Sequence, residues 1–169
     1  MTELKVVEAD ITKLTVDAIV NAANDRLAGG GGVDGAIHRA AGPQLNEACQ
    51  QLGGCPTGEA KTTPGFHLPA KWIIHTPGPI WRGGRSNEAQ LLANSYRHSL
   101  QEAVAHCCQT VAFSSISTGV YGFPLKKAAP IAVQTVRQFT KKDSRLTEVL
   151  FVAFDSQTAA VYRQALQQG

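Results

Sequence analysis

Two small-residue segments carry groups suited to an anionic ligand. Asn21-Ala22-Ala23-Asn24 precedes Gly29-Gly30-Gly31-Gly32, which runs into Val33-Asp34-Gly35-Ala36-Ile37-His38. Four successive glycines expose backbone N–H groups with no side chain to block approach, just before a predicted helix. Those donors and the positive end of the helix dipole converge, which suits a phosphate. The second segment, Ser117-Thr118-Gly119-Val120-Tyr121-Gly122-Phe123-Pro124, also lies between a predicted strand and a predicted helix. Two such loops could clamp a diphosphate from both sides, although Gly and Ser also punctuate ordinary turns.

Gly30, Gly32 and Gly35 satisfy the dinucleotide pattern G-x-G-x-x-G. Two features oppose a dinucleotide fold. Residues 25–28 separate the strand from the glycines, and Asp34 falls beside the bound phosphates. A carboxylate placed there needs a task of its own. At the start of a helix the dipole favours its charged form. A carboxylate of ordinary pKa, ~3.9, is a weak base that orients water more readily than it deprotonates it.

Other reactive residues read as structural. His75 lies in an apolar run and is expected in the core, His38 is expected on a helix face, and Asn21 ties loops through its amide. His106-Cys107-Cys108 superficially suggests a metal cluster, but consecutive helical residues point about 100° apart. With no recognised ligand spacing, no metal is expected. Cys49, Cys55, Cys107 and Cys108 form no C-x-x-C pair and read as reduced, mostly buried thiols. No nucleophile elbow or Walker loop is present.

The elements that must position these groups alternate between strand and helix. Strands are predicted at 4–8, 18–21, 71–76, 110–115 and 148–154. Helices are predicted at 34–41, 44–52, 87–108, 125–139 and 156–167, the last capped by Asp155 or Ser156. Pro130 implies a late start or a kink in the fourth. This order predicts an α/β protein whose sheet is covered on both faces. With 169 residues, 43% apolar and 17% charged, neither disorder nor a charged tail is expected. The net charge of +3 is too mild to identify a nucleic-acid binder. Met1-Thr2-Glu3-Leu4-Lys5 has no signal pattern and no apolar run approaches ~18 residues, so a cytoplasmic protein without membrane contact is expected.

Three motifs together resemble the macrodomain family. They are Val20-Asn21-Ala22-Ala23-Asn24, the run GGGGVDGAIHRAAG from Gly29 to Gly42, and residues 116–122 (ISTGVYG). Within that family they look like the MacroD-type hydrolases and bacterial O-acetyl-ADP-ribose deacetylases. The resemblance extends from Asp10 to the last helix. It implies one macrodomain over residues 1–169, a three-layer α/β/α fold around a mixed, mostly parallel sheet of about six strands.

It also implies roles. Asp10 would accept from the adenine amino group, with Ile11 adjoining, and Phe154 would stack on the base. Asn24 and Asp34 would hold the distal ribose and support hydrolysis. Tyr121, grouped with them, would close over the sugar as packing rather than as base. Gly31, Gly32, Val33, Ser117, Thr118, Gly119, Val120 and Gly122 would line the diphosphate and ribose. Ala9 stands where the family often has Gly, and Phe123 where it often has Tyr.

The implied activity is a hydrolase of ADP-ribosyl esters needing neither metal nor cofactor. It would deacetylate O-acetyl-ADP-ribose and extend to mono-ADP-ribose on acidic side chains. The implied partners are ADP-ribose, its esters and ADP-ribosylated proteins. An ester suits a weakly basic site, because its carboxylate leaves with little protonation. A serine-linked ADP-ribose would leave as an alkoxide and need a stronger acid, and a substrate phosphate could itself assist the water. A non-catalytic ADP-ribose reader would use the same pocket. An RNA-binding or regulatory protein, the third reading, rests only on the net charge and scattered Arg and Lys.

Overall fold

Alternation along each strand decides which layer its side chains meet. In the computed structural model, which describes residues 1–168, strand β2 (Ala18–Ala23) sends Ala18, Val20 and Ala22 to one face. Ile19 and Ala23 go to the other. The first face packs on α3 (Glu88–Ala105), α4 (Leu125–Lys142) and α5 (Ser156–Gln167), through residues such as Tyr96, Val133 and Tyr162. The second packs on α1 (Gly32–Ala41) and α2 (Pro43–Leu52) through Ile37, Ala41, Leu45 and Cys49. Two apolar clusters thus sandwich one sheet, giving three α/β/α layers.

The sheet has six strands in the order β1-β6-β5-β2-β4-β3. These are β1 (Glu3–Glu8), β3 (Lys61–Pro64), β4 (Trp72–Pro77), β5 (Thr110–Phe113) and β6 (Glu148–Ala153) beside β2. All neighbours run parallel except β3, which pairs antiparallel with β4 at one edge. The carboxyl ends of β1, β2, β4, β5 and β6 therefore share one rim. The chain leaves β2 for one layer and β5, its neighbour, for the other. That divergence opens a crevice between the loops following the two strands, the usual ligand position in such sheets.

The structure departs from sequence expectation in a few places. β3 was not predicted, because four residues reading Lys-Thr-Thr-Pro carry neither apolar alternation nor a strand-like flank. β2 extends to Ala23, so Asn21 lies inside it. β5 ends at Phe113, two residues early, and β6 at Ala153. α3 ends at Ala105 rather than 108, since Cys107 turns left-handed at φ 59°. α4 starts at Leu125 and continues to Lys142 through Pro130. The start is not late, and Pro130 only leaves the Lys126 carbonyl without its intrahelical donor.

Candidate functional site

The rim brings the sequence candidates together. Asp10 follows β1 and caps a 3-10 turn, Ile11–Lys13. Its Oδ1 accepts from both the Thr12 N–H, at 3.0 Å, and the Thr12 hydroxyl, at 2.6 Å. These bonds hold its carboxyl below the usual range. Both go to one oxygen, and Oδ2 makes no hydrogen bond among the described residues. Beside it, the Ala9 N–H donates to the Ala153 carbonyl at 3.0 Å, joining the ends of β1 and β6. Phe154 is the next residue and is 87% exposed. Phe154 is therefore outside both apolar clusters and lies on the same rim as Asp10. Ile11 adjoins Asp10, and its side chain is buried in the α1 and α2 layer.

The loop after β2 places Asn24 and Asp34 on either side of Gly30. Asn24 Nδ2 donates to the Gly29 carbonyl at 2.7 Å, while its Oδ1 accepts from Ala28 N–H at 3.1 Å. A Cβ built on Gly30 would lie 3.8 Å from Asp34 Oδ2 and 3.9 Å from Asn24 Nδ2. Gly35 must lack a side chain, because its Cβ would meet the Gly30 carbonyl oxygen at 2.3 Å. Gly31 caps α1, and neither it nor Gly32 has a heavy atom near the space a Cβ would take. The amides of 32–34 open the helix and have no acceptor among the described residues. Val33 is half-buried against the α1 layer.

Asp34 is buried and held by one of its two oxygens. Oδ1 accepts from Asn21 Nδ2 at 2.8 Å and lies 3.3 Å from His38 Nε2, one turn along α1. Oδ2 makes no hydrogen bond among the described residues. Asn21 is wholly buried, and its Nδ2 also approaches His75 Nδ1 at 3.3 Å. His75 Nε2 lies 2.9 Å from the Thr63 hydroxyl. Burial, reinforced by His38, pushes the His75 pKa down to about 3, so the ring is neutral. A neutral ring accepting at Nδ1 carries its proton on Nε2, which donates to Thr63. A buried chain from Thr63 through His75 and Asn21 thus fixes the Asp34 carboxylate.

The loop after β5 faces this group. Tyr121 is half-buried, and its phenol pKa is raised by burial and by Asp25 and Asp34. It remains a neutral phenol at ordinary pH and cannot serve as base. Val120 is fully exposed. Backbone N–H groups of 117–121 have no acceptor among the described residues, whereas Gly122 N–H closes a turn on the Gly119 carbonyl at 3.0 Å. Ser117 has φ 67° and a buried hydroxyl packed under the loop, where a Cβ on Gly78 would sit 2.2 Å away. The Thr118 hydroxyl lies 2.6 Å from that of Ser115. Their backbones, not their side chains, face the crevice.

Sequence reasoning overlooked Asn21 and His38 as partners of Asp34. The signals were the period-2 position of Asn21 on the α1 face of β2 and the i,i+4 spacing of Asp34 and His38. His75 is the satisfied core histidine expected. His106, Cys107 and Cys108 do not converge, since His106 Nδ1 bonds the Glu102 carbonyl at 2.9 Å and its ring packs on Trp72.

Comparison with known proteins agrees with this geometry. The family model described as Macro domain matches residues 20–132. A macro domain-containing protein of Lactiplantibacillus plantarum is 62% identical, covering 98% of this chain and 97% of the relative. A protein of Escherichia coli K12 named O-acetyl-ADP-ribose deacetylase is 54% identical over 99% of this chain and 97% of its own. The solved Oceanobacillus iheyensis macrodomain with ADP superposes with a TM-score of 0.92 at 46% identity, covering 96% of this chain and 89% of that one.

Proposed function

The chain belongs to the macrodomain family, and on that premise we propose that it hydrolyses ADP-ribosyl esters, O-acetyl-ADP-ribose first among them. The observation that carries the reading is the Asp34 carboxylate. One of its oxygens is anchored twice, and the other is presented beside Gly30, where the Asn24 amide also arrives. A simple reader of ADP-ribose gains little from a buried carboxylate next to its own phosphates, since like charges repel.

Each rim group takes one part of the ligand. Asp10 Oδ2 accepts from the adenine amino group, and Phe154 stacks on the ring. The free amides of 32–34 and 117–121 receive the diphosphate from its two sides, with Gly31 and Gly119 leaving room for it. Asn24 holds the distal ribose, and Tyr121 with Val120 covers the sugar. Asp34 Oδ2 accepts a hydrogen bond from water and aims it at the ester. The water oxygen bonds to the acyl carbon and the bond from that carbon to the ribose oxygen breaks. The leaving group here is the ribose alkoxide rather than the carboxylate, and it takes up the proton that the attacking water gives up. Acetate and ADP-ribose leave. No metal enters any step.

Removal of mono-ADP-ribose from acidic side chains follows as an extension, since those links are also esters. We assign all 169 residues to one macrodomain. A cytoplasmic location is supported by four cysteines that remain free thiols, Cys107 among them exposed. No helix of the described residues is long and apolar enough to cross a membrane.

The test is acetate release from O-acetyl-ADP-ribose by purified protein without divalent ions, with Asp34→Ala beside it. Wild type should release acetate and the variant should lose most of the rate. ADP-ribose binding without any turnover would leave the chain a reader.

A further inference from the structure

The mild net charge is unevenly placed. Between residues 103 and 142 there is no Asp or Glu, while α4 carries Lys126, Lys127, Arg137, Lys141 and Lys142. Lys126 and Lys127 lie in its first turn, which holds no acidic residue. Cations at a helix N-terminus oppose the dipole, so helix stability does not explain them.

A hollow of about 300 Å³ opens beside that turn, lined by Trp81, Gly83, Gly84, Phe123, Lys127 and Ile131. Arg82 and Arg85 bracket its two glycines and are exposed. Arg82, Arg85, Lys126 and Lys127 form no salt bridge among the described residues. The nearest acid along the chain, Glu88, is spent on the loop itself, accepting from the N–H groups of Arg82, Gly84 and Ser86 at 2.6–2.9 Å. Burial opposes its charge, yet these three donors and its own N–H bring its pKa down to about 2. The hollow has aromatic walls, for Trp81 packs on Phe123 at 4.7 Å between centroids, with the Lys127 ammonium 5.4 Å from the Trp81 ring.

We propose that this hollow and the exposed cations on the segments beside it bind a single-stranded nucleic acid, with a base displacing the Lys127 ammonium from the Trp81 ring and phosphates on Arg82, Arg85, Lys126 and Lys127. Cations around an aromatic recess are the recurring means of holding a single strand without sequence preference. An anionic membrane would instead call for a flat or protruding apolar surface, and Trp81 is recessed. The surface adjoins the candidate site directly: the Trp81 N–H donates to the Tyr121 carbonyl at 2.8 Å, and Phe123 follows Gly122 in the same loop. A strand bound there lies against the outer side of the loop that covers the sugar. The assignment does not depend on the ester chemistry.

The experiment titrates a fluorescein-labelled, mixed-sequence single-stranded RNA into the full-length protein at several salt concentrations. Affinity should fall with salt at a log–log slope of roughly 3 for four phosphate contacts. Arg85→Ala with Lys126→Ala should weaken binding by at least about tenfold and lower the slope by about 0.7 for each cation removed. Acetate release should not change in that variant. In a Trp72→Phe background, RNA should alter the emission of Trp81. The proposal is overturned if no RNA binds at low salt or if the double variant binds like wild type. It is equally overturned if RNA binds without changing Trp81 emission, or if inorganic polyphosphate or phosphatidylserine vesicles bind as tightly.

Discussion

Asn21 Nδ2 donates to Asp34 Oδ1 at 2.8 Å from a side chain with no exposed surface. The bond joins the middle of a central strand to the first turn of α1 across thirteen positions of chain. It engages one carboxylate oxygen and leaves the other without a hydrogen bond among the described residues. Because the His75 ring receives the second Asn21 N–H, the amide cannot rotate without breaking two contacts. On the proposed mechanism Asn21 is a positioning residue, acting through Asp34.

Asn21→Ala should lower kcat on O-acetyl-ADP-ribose by about 10-fold to 10²-fold, the scale of a misplaced reacting group. KM should move less, because Asn21 touches no part of the bound ligand. Asn21→Gln, whose longer amide cannot occupy the same space, should not rescue. Steady-state kinetics on a variant with an intact melting transition decides it. Unchanged turnover would show that α1 alone holds Asp34 in place.

The same chain predicts acid sensitivity. His75 ordinarily titrates near 6.5, and burial moves it to about 3 in the fold. Between those values the unfolded chain binds a proton that the folded chain refuses, so stability falls as pH drops from 6.5 toward 3. His75→Gln should flatten this part of the profile while lowering stability at neutral pH. Denaturant melts across the range measure it. A wild-type profile that stays level down to pH 4 would contradict a neutral buried ring.

The adenine end was legible only through the family resemblance; the parallel pairing of β1 with β6 is what makes the two strand ends neighbours. The glycine run and the β5 loop were legible for their composition. What stayed hidden depended on tertiary contact. Alternation along β2 puts Asn21 on the face of Ile19 and Ala23 but does not say that Asp34 meets it there, and nothing local says that the hydroxyl of Ser117 turns under the loop against Gly78. β3 escaped because its pairing with β4, not its own residues, makes it a strand. The scattered basic residues gained a location only when the fold put Lys127 beside Gly83 and Gly84.

Asp10→Ala should weaken ADP-ribose binding by about 1–3 kcal/mol, the scale of a hydrogen bond to a charged acceptor. The substitution also frees the Thr12 N–H and hydroxyl, so part of the loss could come from the 3-10 turn. Asp10→Asn separates the two effects, since its oxygen can keep the Thr12 contacts while its amide presents donors outward. It should be intermediate in affinity. Calorimetry with ADP-ribose and with AMP is the measurement, and an alanine variant that binds like wild type would remove Asp10 from the adenine site.

Asp34 and Asn24 separate catalysis from binding. Asp34→Ala should lower kcat on O-acetyl-ADP-ribose by about 10²-fold or more, as expected when a water-positioning group is lost. Affinity for ADP-ribose should change little, because backbone amides and adenine contacts hold the product. It should tighten if anything, since a carboxylate beside the diphosphate is removed. The substitution leaves the Asn21 N–H without its acceptor, a cost of about 1–3 kcal/mol that a melting curve will register. Asn24→Ala behaves differently. Its amide holds the ribose in ground state and transition state alike, so rate and affinity should both fall. It also ties the Gly29 carbonyl and the Ala28 N–H, so the glycine loop should loosen. Single-turnover rates beside product affinities for both variants distinguish the two roles. Normal turnover by folded Asp34→Ala would transfer water activation to the substrate's own phosphate.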